Sequence, residues 1–310
     1  VIALLFECGS ETPQETGSEL EMESSPYSGT LVFQSDRESG WDIYRIEADG
    51  SGLVRLTEDP AADRNPAWSP DGELIAFSSE RSGRGDIYVM DAEGGNVRQV
   101  TDHPAYEGAP RFTPDGGAIV FEGERDGRAE IYEVDLDGGS VRRITSSITR
   151  KLGPSYSPDG SELAFMEKTP IRWQISVREK VSGSKRRVTS GGGACRPAWS
   201  PDGSLLAHVS TRETDKADIW FRQMSGAREG SVWRVPTRPN AHNYDPSFSS
   251  DGLMLAMAST IVRGDREQWD IFVMDINGRG LLRLTGDEGN ERFPDFKPYF
   301  KPNLKPNLKQ

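Results

Sequence analysis

The side chains best suited to chemistry are few and scattered. The chain has three histidines, His103, His208 and His242, and two cysteines, Cys8 and Cys195. Five aspartates stand out by their spacing instead: Asp71, Asp115, Asp159, Asp202 and Asp251 lie 44, 44, 43 and 49 residues apart. Carboxylates in series could act as acids and bases or gather a metal, but their surroundings favour a plainer role. Each sits in a copy of one stretch, of which Pro66-Ala67-Trp68-Ser69-Pro70-Asp71-Gly72 is the first. Proline presets φ at the second position of a turn, Asp tolerates the third, and Gly supplies the positive φ that closes a bulged hairpin. Turn chemistry therefore accounts for these aspartates. His208 lies in the apolar run Leu205-Leu206-Ala207-His208-Val209 and reads as a packed histidine, while His103 and His242 fall in connecting loops. A metal site gathers three or more convergent ligands, so no metal or other cofactor is expected. There is no Gly-x-Ser-x-Gly, His-Glu-x-x-His, Cys-x-x-Cys or phosphate-binding loop, so no catalytic residues are assigned.

The elements carrying these residues repeat. A second series runs in phase with the turns: Asp42-Ile43-Tyr44, Asp86-Ile87-Tyr88, Glu130-Ile131-Tyr132, Gln174-Ile175-Ser176, Asp218-Ile219-Trp220 and Asp270-Ile271-Phe272. Two interleaved series at one period indicate a repeat architecture. In the second unit, strands are expected at 67–69, 74–78, 86–91 and 97–101, separated by Gly-rich turns. Four short strands per unit, six times over, predict an all-β, six-bladed β-propeller with four antiparallel strands per blade. The blades are expected at about 28–57, 65–101, 109–145, 153–189, 196–235 and 245–285. The first unit lacks its aromatic strand, and 293–298 supplies one, so the C-terminal strand should complete blade one and close the ring. Trp68, Phe112, Tyr156, Trp199, Phe248 and Phe296 should occupy equivalent buried positions. Arg37, Arg81, Arg125 and Arg212 end second strands while Asp42, Asp86, Glu130 and Asp218 open third strands, so each hairpin should form a structural ion pair.

The flanks differ from the repeat. Residues 1–27 combine an apolar start, Cys8 and an acidic Ser/Thr/Pro/Gly segment that cannot bury enough apolar area to order itself. They read as a signal remnant and tether, with Cys8 a lipidation candidate. Residues 299–310 read as a Lys/Pro-rich tail. The net charge of −12 argues against nucleic acid as a partner and leaves membrane association to a lipid anchor.

The repeat motifs, Trp68-Ser69-Pro70-Asp71-Gly72, Ile75-Ala76-Phe77-Ser78-Ser79, Asp86-Ile87-Tyr88-Val89-Met90-Asp91 and the ending Arg292-Phe293-Pro294-Asp295-Phe296-Lys297-Pro298, resemble the propeller repeat of the TolB family. TolB is a periplasmic component of the Tol–Pal system, and the resemblance spans about 28–300. It implies a non-enzymatic, exported, monomeric module that binds a protein or peptide. The motif is also similar to that of oligogalacturonate lyases, which implies an alternative, a metal-dependent polysaccharide lyase, and to propellers attached to prolyl-oligopeptidase-type peptidases. A specific site needs a break in the repeat, and the period breaks in blade six. Its loop between second and third strands, 260–269, is about four residues longer and carries Arg263, Arg266 and Trp269. The interblade loop before it, 236–245, carries Arg238, Asn240, His242, Asn243 and Tyr244. Trp41 takes the matching place in blade one. These nine residues are the expected partner-binding site.

Overall fold

The computed structural model describes residues 27–298, apart from 39, 214 and 287–288. The expected lipidation site Cys8 and the tail from 299 lie outside these residues. The described residues form six four-stranded antiparallel sheets and no helix. Blade two shows the plan, with strands Asp63–Trp68, Leu74–Ser79, Asp86–Asp91 and Arg98–Gln99 neighbouring one another in that order. In blade one the strand Glu291–Phe296 pairs antiparallel with Thr30–Ser35, in the register Leu31↔Phe296 and Ser35↔Glu291. The last strand therefore closes the ring, as the phase of the repeat predicts, and covers an edge that would otherwise template aggregation.

The core lies between blades. Phe33, Phe77, Phe121 and Phe165 recur every 44 residues in second strands and are fully buried, each worth roughly 1.5–3 kcal/mol of apolar burial. Trp68, Phe112, Phe248 and Phe296 are buried at the ends of first strands. Tyr156 and Trp199 are only half-buried there, a departure from the expectation. Both carry a polar tip that needs a partner: Tyr156 Oη donates to Glu133 Oε2 at 2.8 Å and Trp199 Nε1 to the Ser155 carbonyl at 3.1 Å. Tyr27, the last residue of the expected tether, donates to the Gly280 carbonyl in blade six at 2.6 Å.

The turn aspartates have the structural role assigned to them. Ser69 Oγ donates to Asp71 Oδ1 at 2.6 Å, the Glu73 amide donates to the same oxygen at 3.0 Å, and Gly72 takes φ 71°. The ion pairs differ from the expectation. Arg81 pairs with Asp63 at 2.8 Å, Arg37 with Glu291 at 3.2 Å and Arg125 with Glu107, so the arginine ending a second strand meets the acid opening the first. The guanidinium turns that way because it lies over a third-strand ring, as Arg81 does over Tyr88 at 5.0 Å, and is braced by Ser79 Oγ at 2.8 Å. The acids opening third strands pair instead with fourth-strand arginines: Asp42 with Arg55 at 2.8 Å, Glu130 with Arg143 at 3.1 Å, Asp218 with Arg234 at 2.7 Å and Asp270 with Arg283 at 2.8 Å.

First strands begin earlier than expected, at Asp63 rather than Ala67 in blade two. In blade six the first strand is Asn243–Phe248, so Asn243, Tyr244 and Asp245 belong to a strand and not to a loop. The expected loop 260–269 is likewise a continued hairpin. Strands Met254–Arg263 and Arg266–Asp275 pair all the way to Arg263↔Arg266. Thr260, Ile261 and Val262 are β-branched and extend the strand readily.

Candidate binding site

The first strand of every blade is bulged at the same place. In each, the residue before proline has left-handed backbone: Asn65 at φ 55°, Ala109 at 48°, Gly153 at 57°, Arg196 at 56°, Asp245 at 53° and Phe293 at 57°. The pairing register shifts at these residues, as between Arg64 and Ala67. Proline lacks an amide hydrogen, so the ladder cannot run through it, and the bulge absorbs the missing bond. Neighbouring blades catch the displaced amides. Asn65 N donates to Gln34 Oε1 of blade one at 2.9 Å, and Gly153 N to Glu122 Oε2 of blade three at 2.8 Å. These residues, from all six first strands, surround a narrow central space that opens to solvent.

Around this space the blades differ in chemistry. Asp245 is 3% exposed and bridges two arginines, Arg292 Nε at 2.6 Å and Arg196 Nε at 3.2 Å. Burial pushes its carboxyl up, but Arg292 and Arg196 outweigh that and hold it below the usual range. Arg196 lies over the Phe293 ring at 4.4 Å, and Arg292 lies over Trp269 at 4.1 Å and Tyr244 at 5.2 Å. Tyr244 meets Trp269 edge to face at 5.5 Å, and His242 lies 6.5 Å from the Trp269 ring. Across the channel, burial pushes the Glu122 carboxyl up against the pull of the Gly153 amide and Arg196. Tyr106 stands over this side. It is 38% exposed, and its hydroxyl lies so close over Gly108 that a Cβ there would collide with it.

Three of the expected site residues, His242, Tyr244 and Trp269, thus come together. Asn240 is exposed. Trp41 is half-buried with Arg64 over its ring at 6.0 Å. Arg266 is exposed at the hairpin end opposite Arg263, which donates to the Gly286 carbonyl at 2.6 Å. Asn243 and Arg238 turn inward. Asn243 is fully buried, its amide shared among Asp218, Thr237 and nearby carbonyls. Arg238 donates to the Thr260 carbonyl at 2.8 Å and covers Phe272. Both fasten the interblade loop. Sequence reasoning missed Arg292, Arg196, Asp245, Phe293 and Tyr106. Four of them flank the recurring Pro that opens each repeat, and that proline was the available signal.

Burial pushes the Cys195 thiol up to about 11, which leaves it a poor nucleophile. His103 and His242 each accept a local amide at Nδ1, from Ala105 at 3.1 Å and Ala217 at 3.2 Å. Among the described residues, no group of three or more His, Cys, Asp or Glu could hold a metal ion. No helix among them is long and apolar enough to cross a membrane.

The family model of the TolB beta propeller domain matches residues 13–106 and 64–227. The chain belongs to the TolB β-propeller family. Among solved structures it is similar to TolB from Acinetobacter baumannii, at 26% identity and a TM-score of 0.74, over 88% of this chain and 67% of that one. A TolB-like protein from Agrobacterium tumefaciens matches at 20% identity and a TM-score of 0.68, over 88% of this chain and 99% of its own. The oligogalacturonate lyase of Vibrio parahaemolyticus is 16% identical with a TM-score of 0.58, over 84% of this chain and 75% of that one, and shares the fold alone. No curated protein sequence matches the chain. Against this TolB-like background the turn face is uniform. Gly116, Gly160, Gly203 and Gly252 each sit beside the proline of the preceding turn. The irregular residues gather at the other end of the channel.

Proposed function

We propose that this TolB-like propeller is a non-enzymatic binding module of the cell envelope. It holds a protein or peptide partner at the channel mouth, on the face of the interblade loops. One observation carries the reading: Arg292 is fixed by Asp245 while it presses on Trp269 and Tyr244. An arginine and two aromatic rings therefore stand partly exposed and already ordered. Such side chains dominate binding energy at interfaces, and ordered ones lose little entropy when a partner arrives. His242 supports the rings. The long blade-six hairpin widens the surface with Val262, which is 70% exposed, and with Arg263 and Arg266. Asn240 and Trp41 complete the rim, while Arg238 and Asn243 hold the loop beneath it. The protein works as a monomer without a cofactor, and acylation of Cys8 tethers it to the membrane.

The test is capture from an envelope extract on immobilised full-length protein. The unmodified chain and a Glu93→Ala/Asp137→Ala control on the opposite face are expected to retain one partner. Trp269→Ala/Tyr244→Ala should lose it while the ring stays folded. Equal loss from both double variants would overturn the assignment of the face.

A further inference from the structure

The seams between blades carry a buried polar layer. At each seam the residue opening a first strand sits beside the residue opening the third strand of the preceding blade. At four seams a backbone bond holds them there: Asp63 N donates to the Trp41 carbonyl at 2.7 Å, Glu107 N to Gly85 at 3.0 Å, Lys151 N to Ala129 at 2.9 Å and Asn243 N to Ala217 at 2.9 Å. At the closing seam Thr285 makes the link, its Oγ1 accepting from Ile271 N beside Asp270 at 2.9 Å and donating to Glu291 Oε2 at 3.2 Å. Around the ring the pairs are Asp42 with Asp63, Asp86 with Glu107, Glu130 with Lys151, Gln174 with Ala194, Asp218 with Asn243, and Asp270 with Glu291. Three seams therefore set carboxyl against carboxyl. In each of these three, one carboxyl oxygen is buried with no hydrogen-bond partner: Asp63 Oδ1, Glu107 Oε2 and Asp270 Oδ1. The pairs containing Lys151, Ala194 or Asn243 leave no such oxygen among the described residues.

An ionised carboxylate only accepts hydrogen bonds, so two of them side by side repel each other and leave lone pairs unmet. One proton between them removes both faults. We propose that the seam closing the ring is a proton latch: Glu291 and Asp270 share one proton below neutral pH, and its release as pH rises through neutrality weakens the hold of the last strand on blade six.

The groups facing the pair are known on every side. Glu291 accepts from Ser35 Oγ at 3.0 Å and Arg37 Nη2 at 3.2 Å in blade one, and from Thr285 Oγ1 at 3.2 Å in blade six. Asp270 accepts from Arg283 Nη2 at 2.8 Å and has Arg263 Nη2 at 3.6 Å. Both carboxyl side chains are fully buried. Burial acts first, and for Glu291 it is helped by the charge of Asp270 and opposed by Arg37, so that its carboxyl is pushed up to about 7. Asp270 is raised as well, by burial against Arg283 and Arg263. The second seam repeats the arrangement. Asp42 is raised by burial, with Asp63 adding and Arg55 opposing, and Asp63 is raised by burial against Ser79 and Arg81.

The folded chain thus binds the shared proton more tightly than the unfolded chain. Its contribution to stability is full below the ordinary glutamate range and is lost as pH rises through about 7. The experiment compares the full chain with Glu291→Gln, whose amide donates where the shared proton did. Thermal unfolding is followed from about pH 5 to pH 9, across the window that linkage sets, and protonated carboxyls are read from the infrared carbonyl band at the acid end of that range. The unmodified chain is expected to lose several degrees of melting temperature toward alkali and to show the band. Glu291→Gln should flatten the alkaline limb and weaken the band. Asp270→Asn serves the same purpose if the first variant fails to fold. An unchanged alkaline slope with the band intact in a folded variant would overturn the latch.

Discussion

The guanidinium of Arg292 lies 4.1 Å from the centre of the Trp269 ring although the two residues belong to different blades. Arg292 comes from the closing strand Glu291–Phe296 and Trp269 from the hairpin of blade six. The cluster exists only when the ring is shut. Closure and recognition are therefore one structural event at this seam, and the neighbouring Glu291 lies within it.

Arg292→Lys keeps the charge but loses the planar group that covers two rings. Partner affinity should fall by ~2 kcal/mol, the scale of an interface hot spot, with a smaller change in melting temperature. Calorimetric titration with the captured partner measures it. Affinity within error of the unmodified chain would remove Arg292 from the site.

Deleting 291–310 takes the first strand from blade one and exposes the edge of Thr30–Ser35. The truncated chain should melt earlier and aggregate, as scattering during a thermal ramp would show. Melting like that of the full chain would mean that the ring does not depend on this strand.

Trp68→Ala should cost ~3–5 kcal/mol, as large aromatic truncations in cores do, because Trp68 is 5% exposed. Trp199→Ala should cost clearly less, since that ring is half-buried. Denaturant unfolding of the two variants side by side decides the order.

The acid limb should report His208. Burial holds its imidazole down to about 4, with Arg222 and Arg212 adding to the effect. The unfolded chain takes up that proton first, so stability present above the ordinary histidine range is lost as pH falls through about 4. His208→Gln should flatten that limb and leave the alkaline one, where Glu291 acts, unchanged. A variant that still loses stability with the same acid slope would assign that slope to other groups.

Gly108→Ala should move Tyr106, because the added Cβ would occupy the space of the phenol. The tyrosine fluorescence or ring NMR signals of Tyr106 should change while the melting temperature shifts little. Signals identical to those of the unmodified chain would mean that Tyr106 does not rest on this glycine.

Nearly all of the architecture was legible from two motifs in phase, because the turn Pro70-Asp71-Gly72 and the strand opening at Asp86 impose local geometry that needs no tertiary context. Ring closure followed from the phase of Phe293 to Pro298. The site was legible only in part. Tyr244 and Trp269 were found because length breaks the period there. Arg292 was not, since its role depends on a contact between residues far apart in the chain. Asn243 looked available in sequence but is buried, because the strand begins before the proline that seemed to forbid it. The ion pairs were misassigned for a related reason: strand adjacency is readable, but a long arginine side chain goes where aromatic rings and hydroxyls direct it.

Asn65, Ala109, Gly153, Arg196, Asp245 and Phe293 are six unlike residues held in one backbone shape. Each is followed by its own proline and flanked by paired residues on either side. Exchanging one side chain for another that tolerates left-handed backbone should leave the ladder around it undisturbed, since the bulge has already released that residue from the sheet. The channel is in effect a cassette with six slots. Its contents can be rewritten one at a time, and the ring that carries them keeps its shape.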